Sequence, residues 1–209
     1  MACFGRALQE TYGVKIAWED FRGFGRTDSQ VMGELLALAG IDGPSVANKL
    51  DQAKRLYLTY LSDMIQGPEH VDIMPGILLL LKHLKERPEC MMGIITGNFE
   101  AAARVKLSSH GLEGYFACGA FGDDSSDRNE LARLAVSRAT IGSGSDMSRA
   151  RTFVIGDTMH DVRCGKAINA TTIAVGTGAV DRQKLLRENP DHFFEDLSDT
   201  QKILDLLLT

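Results

Sequence analysis

The sequence predicts an α/β fold, a parallel sheet flanked by helices on both faces, preceded by a small helical segment. Two observations carry this expectation. From Met74 onward, short continuous apolar runs alternate with amphipathic helical stretches, the pattern of strands buried on both sides of a parallel sheet. Ahead of Met74 the chain reads as helices alone. A length of 209 residues fits one core domain plus a modest insertion. The expected division is therefore a helical domain at 1–73 and an α/β core at 74–209.

The elements follow in order. Phe4, Leu8 and Tyr12 fall on one face of a helix that Gly13 ends. The loop from Asp20 to Thr27 carries two glycines. A second helix begins near Asp28 or Ser29, both good N-caps, and stops before Gly40. A third runs from Pro44 to about Met64 on Val46, Leu50, Ala53, Leu56 and Leu61, and Gly67-Pro68 closes it. Pro75 then sits at a first helical position, with Ile77, Leu78, Leu81 and Leu84 as the apolar face. Strands are expected at Met91–Ile95, Phe116–Phe121, Thr152–Ile155, Thr171–Val175 and, briefly, His192–Phe194. Helices Phe99–His110, Asn129–Ala139 and His160–Asn169 lie between them, the first with Asn98 as N-cap and Gly111 after its end. Ile141–Ala150 reads as a solvated loop.

Composition excludes several classes. A net charge of −5 argues against a nucleic-acid partner, whose binders usually present a basic face. No run approaches the ~18 apolar residues of a membrane span, and MACFGRALQE has no signal-peptide apolar core. Cys3, Cys90, Cys118 and Cys164 show no metal or CxxC spacing, as expected of buried thiols in a reducing, cytoplasmic setting.

The residues with chemical potential cluster at two strand ends. In RTFVIGDTMHDVRCGKA, Arg151 to Ala167, an apolar strand ends in Gly156-Asp157 and a second carboxylate, Asp161, follows four residues on. Strand carboxyl ends open onto the ligand crevice of a parallel sheet. Two hard carboxylates there suit Mg²⁺, which takes one or two such ligands along with water and phosphate oxygens. The bland reading is a β-turn with a helix-capping aspartate. Thr96 likewise ends an apolar strand, with Gly97 for close approach and Asn98 opening a helix whose N-terminus favours an anion.

GDTMHDV resembles motif IV of the haloacid dehalogenase (HAD) superfamily, and MMGIITGN resembles its motif II. The resemblance covers nearly the whole chain and is nearest to phosphoglycolate-phosphatase-like members. It implies a Rossmann-like core, a helical cap at 1–73 that closes over the crevice, and Mg²⁺-dependent hydrolysis of a small phosphorylated metabolite through an aspartyl-phosphate. It also implies roles. Thr96 would hydrogen-bond the transferring phosphoryl group, aided by the following N–H at Gly97, with Asn98 beside it. Asp157 and Asp161 would hold the metal. The family's phosphate-neutralising lysine has no direct counterpart. Arg128, in FGDDSSDRNEL, occupies its place, Lys106 competes, and the bland alternative pairs Arg128 with Asp124 or Asp127. Arg26, in GFGRTD, is the cap residue proposed to reach a substrate anion. His160 is expected to face solvent, and Trp18, Phe21 and Phe24 to pack cap helices.

The superfamily's first motif, DxDx[TV], supplies the attacking aspartate, and these residues contain no DxD. FRGFGRTDSQVMGELLALAGI resembles the start of a cap inserted after that motif. The expectation is therefore a chain starting about fifteen to twenty residues late through a misplaced start at Met1, and lacking the central first strand of the sheet. Without its nucleophile a covalent mechanism cannot run, so negligible phosphatase activity is expected. The other class is a non-catalytic paralogue that binds phosphate or a partner, or self-associates through exposed strands.

Overall fold

The computed structural model describes residues 2–16, 25–41, 46, 48–66, 73–144 and 150–209. The expected helix start at Pro44, the Gly67-Pro68 stop, and Trp18, Phe21 and Phe24 lie outside them. In chain order the described elements are α1 (Ala2–Tyr12), α2 (Asp28–Leu38), α3 (Leu50–Gln66), α4 (Ile77–Lys85), β1 (Gly93–Ile95), α5 (Glu100–Ser108), β2 (Cys118–Ala120), α6 (Arg128–Ser143), β3 (Phe153–Gly156), α7 (Met159–Ala167), β4 (Thr171–Val175), α8 (Arg182–Arg187), β5 (His192–Phe194) and α9 (Thr200–Leu208). The chain divides into two compact units. One comprises Met1–Val71, Gly97–Gly111 and Phe121–Ser126; the other comprises Asp72–Thr96, Leu112–Ala120 and Asp127–Thr209.

Among its described residues, the regular elements of the first unit are helices. Phe4 and Leu8 of α1, Met32, Leu35 and Leu36 of α2, Ala53, Tyr57 and Leu61 of α3, and Phe99 with Ala102 of α5 form one core. The rings of Phe4 and Tyr57 stack with centroids 3.9 Å apart, an arrangement that adds to the burial of both rings. Gly13 ends α1 in the left-handed region at φ 71°, as its position after Tyr12 predicts. The N-cap of α2 corrects the sequence reading: it is Thr27, not Asp28 or Ser29. The Thr27 hydroxyl accepts the Gln30 N–H at 3.3 Å, and Gln30 Oε1 accepts the Thr27 N–H at 3.0 Å. This reciprocal box satisfies two otherwise orphaned donors and releases Asp28 for a different task.

The second unit carries the strands, all parallel. β1 pairs with β2 in the register Ile94↔Gly119, β3 with β4 in the register Ile155↔Ile173, and β4 with β5 in the register Ala174↔Phe193. They form two ladders, β1-β2 and β3-β4-β5. Among the described residues, β1 and β3 therefore each pair along one edge only. Helix α6 packs on both β1 and β2 and beside α7. Ile95 touches two buried clusters, one with Ala132, Val154, Cys164 and Ala170 and one with Ala120, Leu131 and Ala135. Leu80 and Leu84 of α4 meet Val175, Leu197, Ile203 and Leu204 in a third.

Several boundaries differ from the sequence reading. β1 and β2 are shorter than their apolar runs. Pro75 is not the first helical residue: Gly76 intervenes as N-cap at φ 82°, and a Cβ there would lie 1.8 Å from the Leu197 carbonyl oxygen, so close approach demands glycine. Residues 141–143, expected in a loop, continue α6 to a left-handed Gly144. Asn98 does not cap α5; the N-cap position falls on Phe99, which has no polar side chain to offer.

Candidate active site

In the second unit, β3 delivers Asp157 just past its carboxyl end, and Thr158 caps α7. The turn folds tightly because Gly156 has no side chain: a Cβ there would lie 2.4 Å from Asp161 Cβ. Asp161 Oδ2 accepts the Thr158 N–H at 3.0 Å and the Thr158 hydroxyl at 2.7 Å. Its Oδ1 accepts from Arg128 at 2.6 Å, and both side chains of that pair are only 14% exposed. On the other flank a Cβ at Gly178 would lie 2.1 Å from Asp157 Oδ2. Burial and then the neighbouring Asp161 charge push the Asp157 carboxyl above the usual range, since both disfavour its ionised form.

Arg128 is the first residue of α6, and its pairing corrects the local alternatives. Asp127 instead caps α6 by accepting the Asn129 N–H at 2.8 Å, and Asp124 accepts the Phe121 N–H at 2.9 Å. The Arg128 Nε is buried with no hydrogen-bond acceptor, although a buried donor of this kind is normally satisfied. A guanidinium that spends one terminal nitrogen on Asp161 and keeps Nε–H available is suited to an anionic oxygen. His160, beside the pair, is half-buried, and burial first and Arg128 second hold its imidazole below the usual pKa. Thr96 belongs to this unit too, directly after β1, with its N–H donating to the Ala120 carbonyl at 3.0 Å.

The remaining expected residues belong to the helical unit. The Arg26 guanidinium is paired with Glu34, about two turns into α2. Gly97 backs onto Arg26, where a Cβ would come within 2.7 Å of the Arg26 carbonyl oxygen. Asn98 turns its carboxamide inward: Nδ2 donates to Asp28 Oδ1 at 3.0 Å, and Oδ1 accepts from Lys106 Nζ at 2.9 Å. Lys106 thus reaches back along α5, and burial lowers its ammonium pKa. Two residues to which the sequence reading gave no part here complete the picture. Asp28 Oδ2 accepts the Phe99 N–H at 2.8 Å, and Asp123 Oδ2 accepts the Glu100 N–H at 2.7 Å. These donors at the start of α5, where an anion was expected, already serve the protein's own carboxylates.

Among the described residues no group of three or more His, Cys, Asp or Glu side chains is placed to hold a metal. The Asp157–Asp161 pair is still a donor set of the kind Mg²⁺ accepts, since that ion keeps most of its shell as water and phosphate oxygens. A cation there would also offset the Asp161 charge that, after burial, raises the Asp157 carboxyl.

Residues 129–200, which include Asp157 and Asp161, match the HAD-hydrolase-like family. Over that stretch the chain is similar to HAD-like hydrolases. It is 27% identical over 138 residues to a phosphoglycolate phosphatase of Synechococcus elongatus, a match spanning 66% of this chain and 62% of that protein. Less than two thirds of that relative's length is thus represented. A hydrolase from Pseudomonas syringae superposes with a TM-score of 0.68 at 21% identity, over 100% of this chain and 91% of that one. A predicted phosphoglycolate phosphatase from Haemophilus somnus gives 0.71 at 15% identity, over 97% and 88%. A family IA HAD hydrolase from Entamoeba histolytica gives 0.69 at 17% identity, over 100% and 91%. At these identities the structures speak for the fold: a HAD Rossmann-like α/β arrangement with parallel strands between helices. By sequence, the similarity is to the HAD-hydrolase-like family over residues 129–200 and to the Synechococcus phosphatase over 138 residues.

Proposed function

We propose that the chain carries the metal- and phosphate-binding part of a Mg²⁺-dependent phosphomonoester hydrolase acting on a small phosphorylated metabolite, with phosphoglycolate the leading candidate. The observation that carries this reading is the half-spent Arg128: one terminal nitrogen on Asp161, Nε–H buried and unanswered, beside the Asp157–Asp161 pair. An incoming phosphate oxygen would satisfy Nε–H. When bound, the metal would neutralise phosphate charge and hold its oxygens in line for attack. Thr96 would donate its hydroxyl to the same group. In this reading Asp161 must be shared between Arg128 and the cation, so Arg128 also keeps that carboxylate ionised and oriented.

The aspartate that would attack phosphorus, forming the aspartyl-phosphate, is not among these 209 residues, which contain no DxD. A polypeptide of these residues alone is therefore proposed to bind Mg²⁺ and phosphate without turnover. A cytoplasmic setting belongs to the same proposal, supported by four free cysteines; no helix among the described residues is long and apolar enough to cross a membrane. A second reading, a non-catalytic protein that binds phosphate or self-associates, is favoured by the single-edged pairing of β1 and β3 among the described residues.

The test is an aryl phosphate assay with and without Mg²⁺, beside a titration of Mg²⁺ and inorganic phosphate. Binding without turnover is expected. Turnover that disappears in Asp157→Ala would overturn the claim about the nucleophile, and no binding at all would overturn the phosphatase site.

A further inference from the structure

In the helical unit, one residue grips three consecutive ones about seventy positions away. The backbone N–H of Asp28 donates to the Gly97 carbonyl at 2.7 Å, its Oδ1 accepts from Asn98 Nδ2 at 3.0 Å, and its Oδ2 accepts the Phe99 N–H at 2.8 Å. Asp28 is only 4% exposed, and a carboxylate is rarely buried without such partners. Lys106 closes the arrangement from the far side of Asn98 at 2.9 Å. The carboxamide orientation is thereby fixed, with its donor on an anion and its acceptor on a cation. Gly97 is pinned from the same direction, since only glycine fits against Arg26 and Thr27. The N-cap of α5 is a phenylalanine with no capping group, and Asp28 reaches from α2 to accept the N–H of that cap residue.

We infer that Asp28 is a positioning residue that sets the Gly97–Phe99 turn. It touches no reacting atom; it holds the backbone immediately following Thr96 and keeps Asn98 turned inward. A Ser or Asp at position 99 could cap the first turn of α5 with its own side chain, but it could not orient Asn98 or Gly97. The consequence for ligand binding rests on the phosphate-binding reading of Thr96 above; the consequence for the turn does not.

The experiment compares the full chain with Asp28→Asn, which keeps the shape but loses the charge and one acceptor. Amide exchange at Phe99 and the side-chain NH₂ resonances of Asn98 report on the turn, and inorganic phosphate titrated with Mg²⁺ reports on binding. Exchange at Phe99 is expected to speed about tenfold and the Asn98 resonances to shift, as loss of a charge-assisted bond implies, while exchange at Leu35 and Ala53 stays as it was. Phosphate affinity should fall several-fold. Uniform acceleration across the unit, or no change at Phe99 and Asn98, overturns the inference. If the unsubstituted chain binds no phosphate, the phosphatase reading fails and the two spectroscopic readouts still decide the role of Asp28. Should Asp28→Asn not fold, Lys106→Met, which spares Asp28, serves in its place. There the Asn98 resonances should move with the Phe99 exchange unchanged, and the reverse result would sink the arrangement.

Discussion

Arg128 donates to Asp161 at 2.6 Å across 33 positions of sequence, tying the first turn of α6 to the first turn of α7. The bond places a cation against one of the two carboxylates that follow β3 and leaves the guanidinium Nε–H buried without an acceptor. Most of what the candidate site can do depends on this pair.

Replacing Arg128 tests it directly. Arg128→Ala leaves the largely buried Asp161 carboxylate without its cation and should cost about 2 kcal/mol in urea unfolding, the usual range for a lost charge-assisted bond with partial burial. Arg128→Lys keeps the charge but not the planar fork, so an intermediate loss is expected. Equal stability of the alanine variant and the parent would mean that the pair contributes nothing.

The two glycines beside the carboxylates separate packing from ligand binding. Gly156→Ala would drive a methyl group to 2.4 Å from both Asp161 Cβ and Cγ, and the turn can yield only by moving backbone. A loss of about 1–3 kcal/mol follows. At Gly178 the clash is with the Asp157 carboxylate, at 2.1 Å from Oδ2, and that side chain can swing aside. Gly178→Ala should cost less stability yet weaken Mg²⁺ binding, read by titration calorimetry. A Gly178→Ala chain that binds the ion as the parent does would argue against Asp157 as a ligand.

Acid sensitivity has an identifiable contributor at Asp191. The backbone N–H of Thr172, first, and its hydroxyl, second, hold the Asp191 carboxyl below the usual range, both at 2.7 Å. A carboxyl depressed by folding adds stability that is present above its ordinary pKa of about 3.9 and fades as pH falls through the depressed value. Asp191→Asn should therefore flatten the decline of the urea midpoint between about pH 5 and pH 2. The group is largely exposed, so the effect should shrink at high salt. Parallel profiles for parent and variant would show that the contact carries no linkage.

Thiol reactivity should sort by burial. Burial, and then the Asp161 charge, push the Cys164 thiol up to about 11, leaving roughly one part in a thousand as thiolate at pH 8. Cys3 is buried as well, whereas Cys90 and Cys118 are partly exposed. A native chain treated with an alkylating reagent should label first at Cys90 and Cys118, and at Cys3 and Cys164 only after denaturant is added. Early labelling of Cys164 by peptide mass mapping would contradict the packing of α7 on β3.

Local patterns were enough to read the elements, because each strand or helix writes its own periodicity. β4 and β5 fall where their apolar runs place them, and Gly13, Gly40 and Gly111 mark helix ends through positive φ. Caps were less legible. Thr27, Asp28 and Ser29 are all acceptable N-caps by residue type, and the choice of Thr27 was settled by Gln30 reaching back to it and by Asp28 being drawn inward. Arg128 shows the same limit. Its sequence neighbours Asp124 and Asp127 looked like natural partners, but both carboxylates accept backbone N–H groups of their own turns, which left Arg128 for Asp161.

By itself the sequence determined the α/β class, the parallel strands, and the glycine-aspartate turn that places Asp157 after β3, since each depends on residues within a few positions of one another. Only the tertiary structure decided which charges meet: Arg128 with Asp161, Asp28 with Asn98 and Phe99, Lys106 with Asn98. The physical reason is that a buried charge takes whichever partner packing brings within hydrogen-bond reach, and no short-range spacing rule encodes a contact spanning thirty or seventy residues.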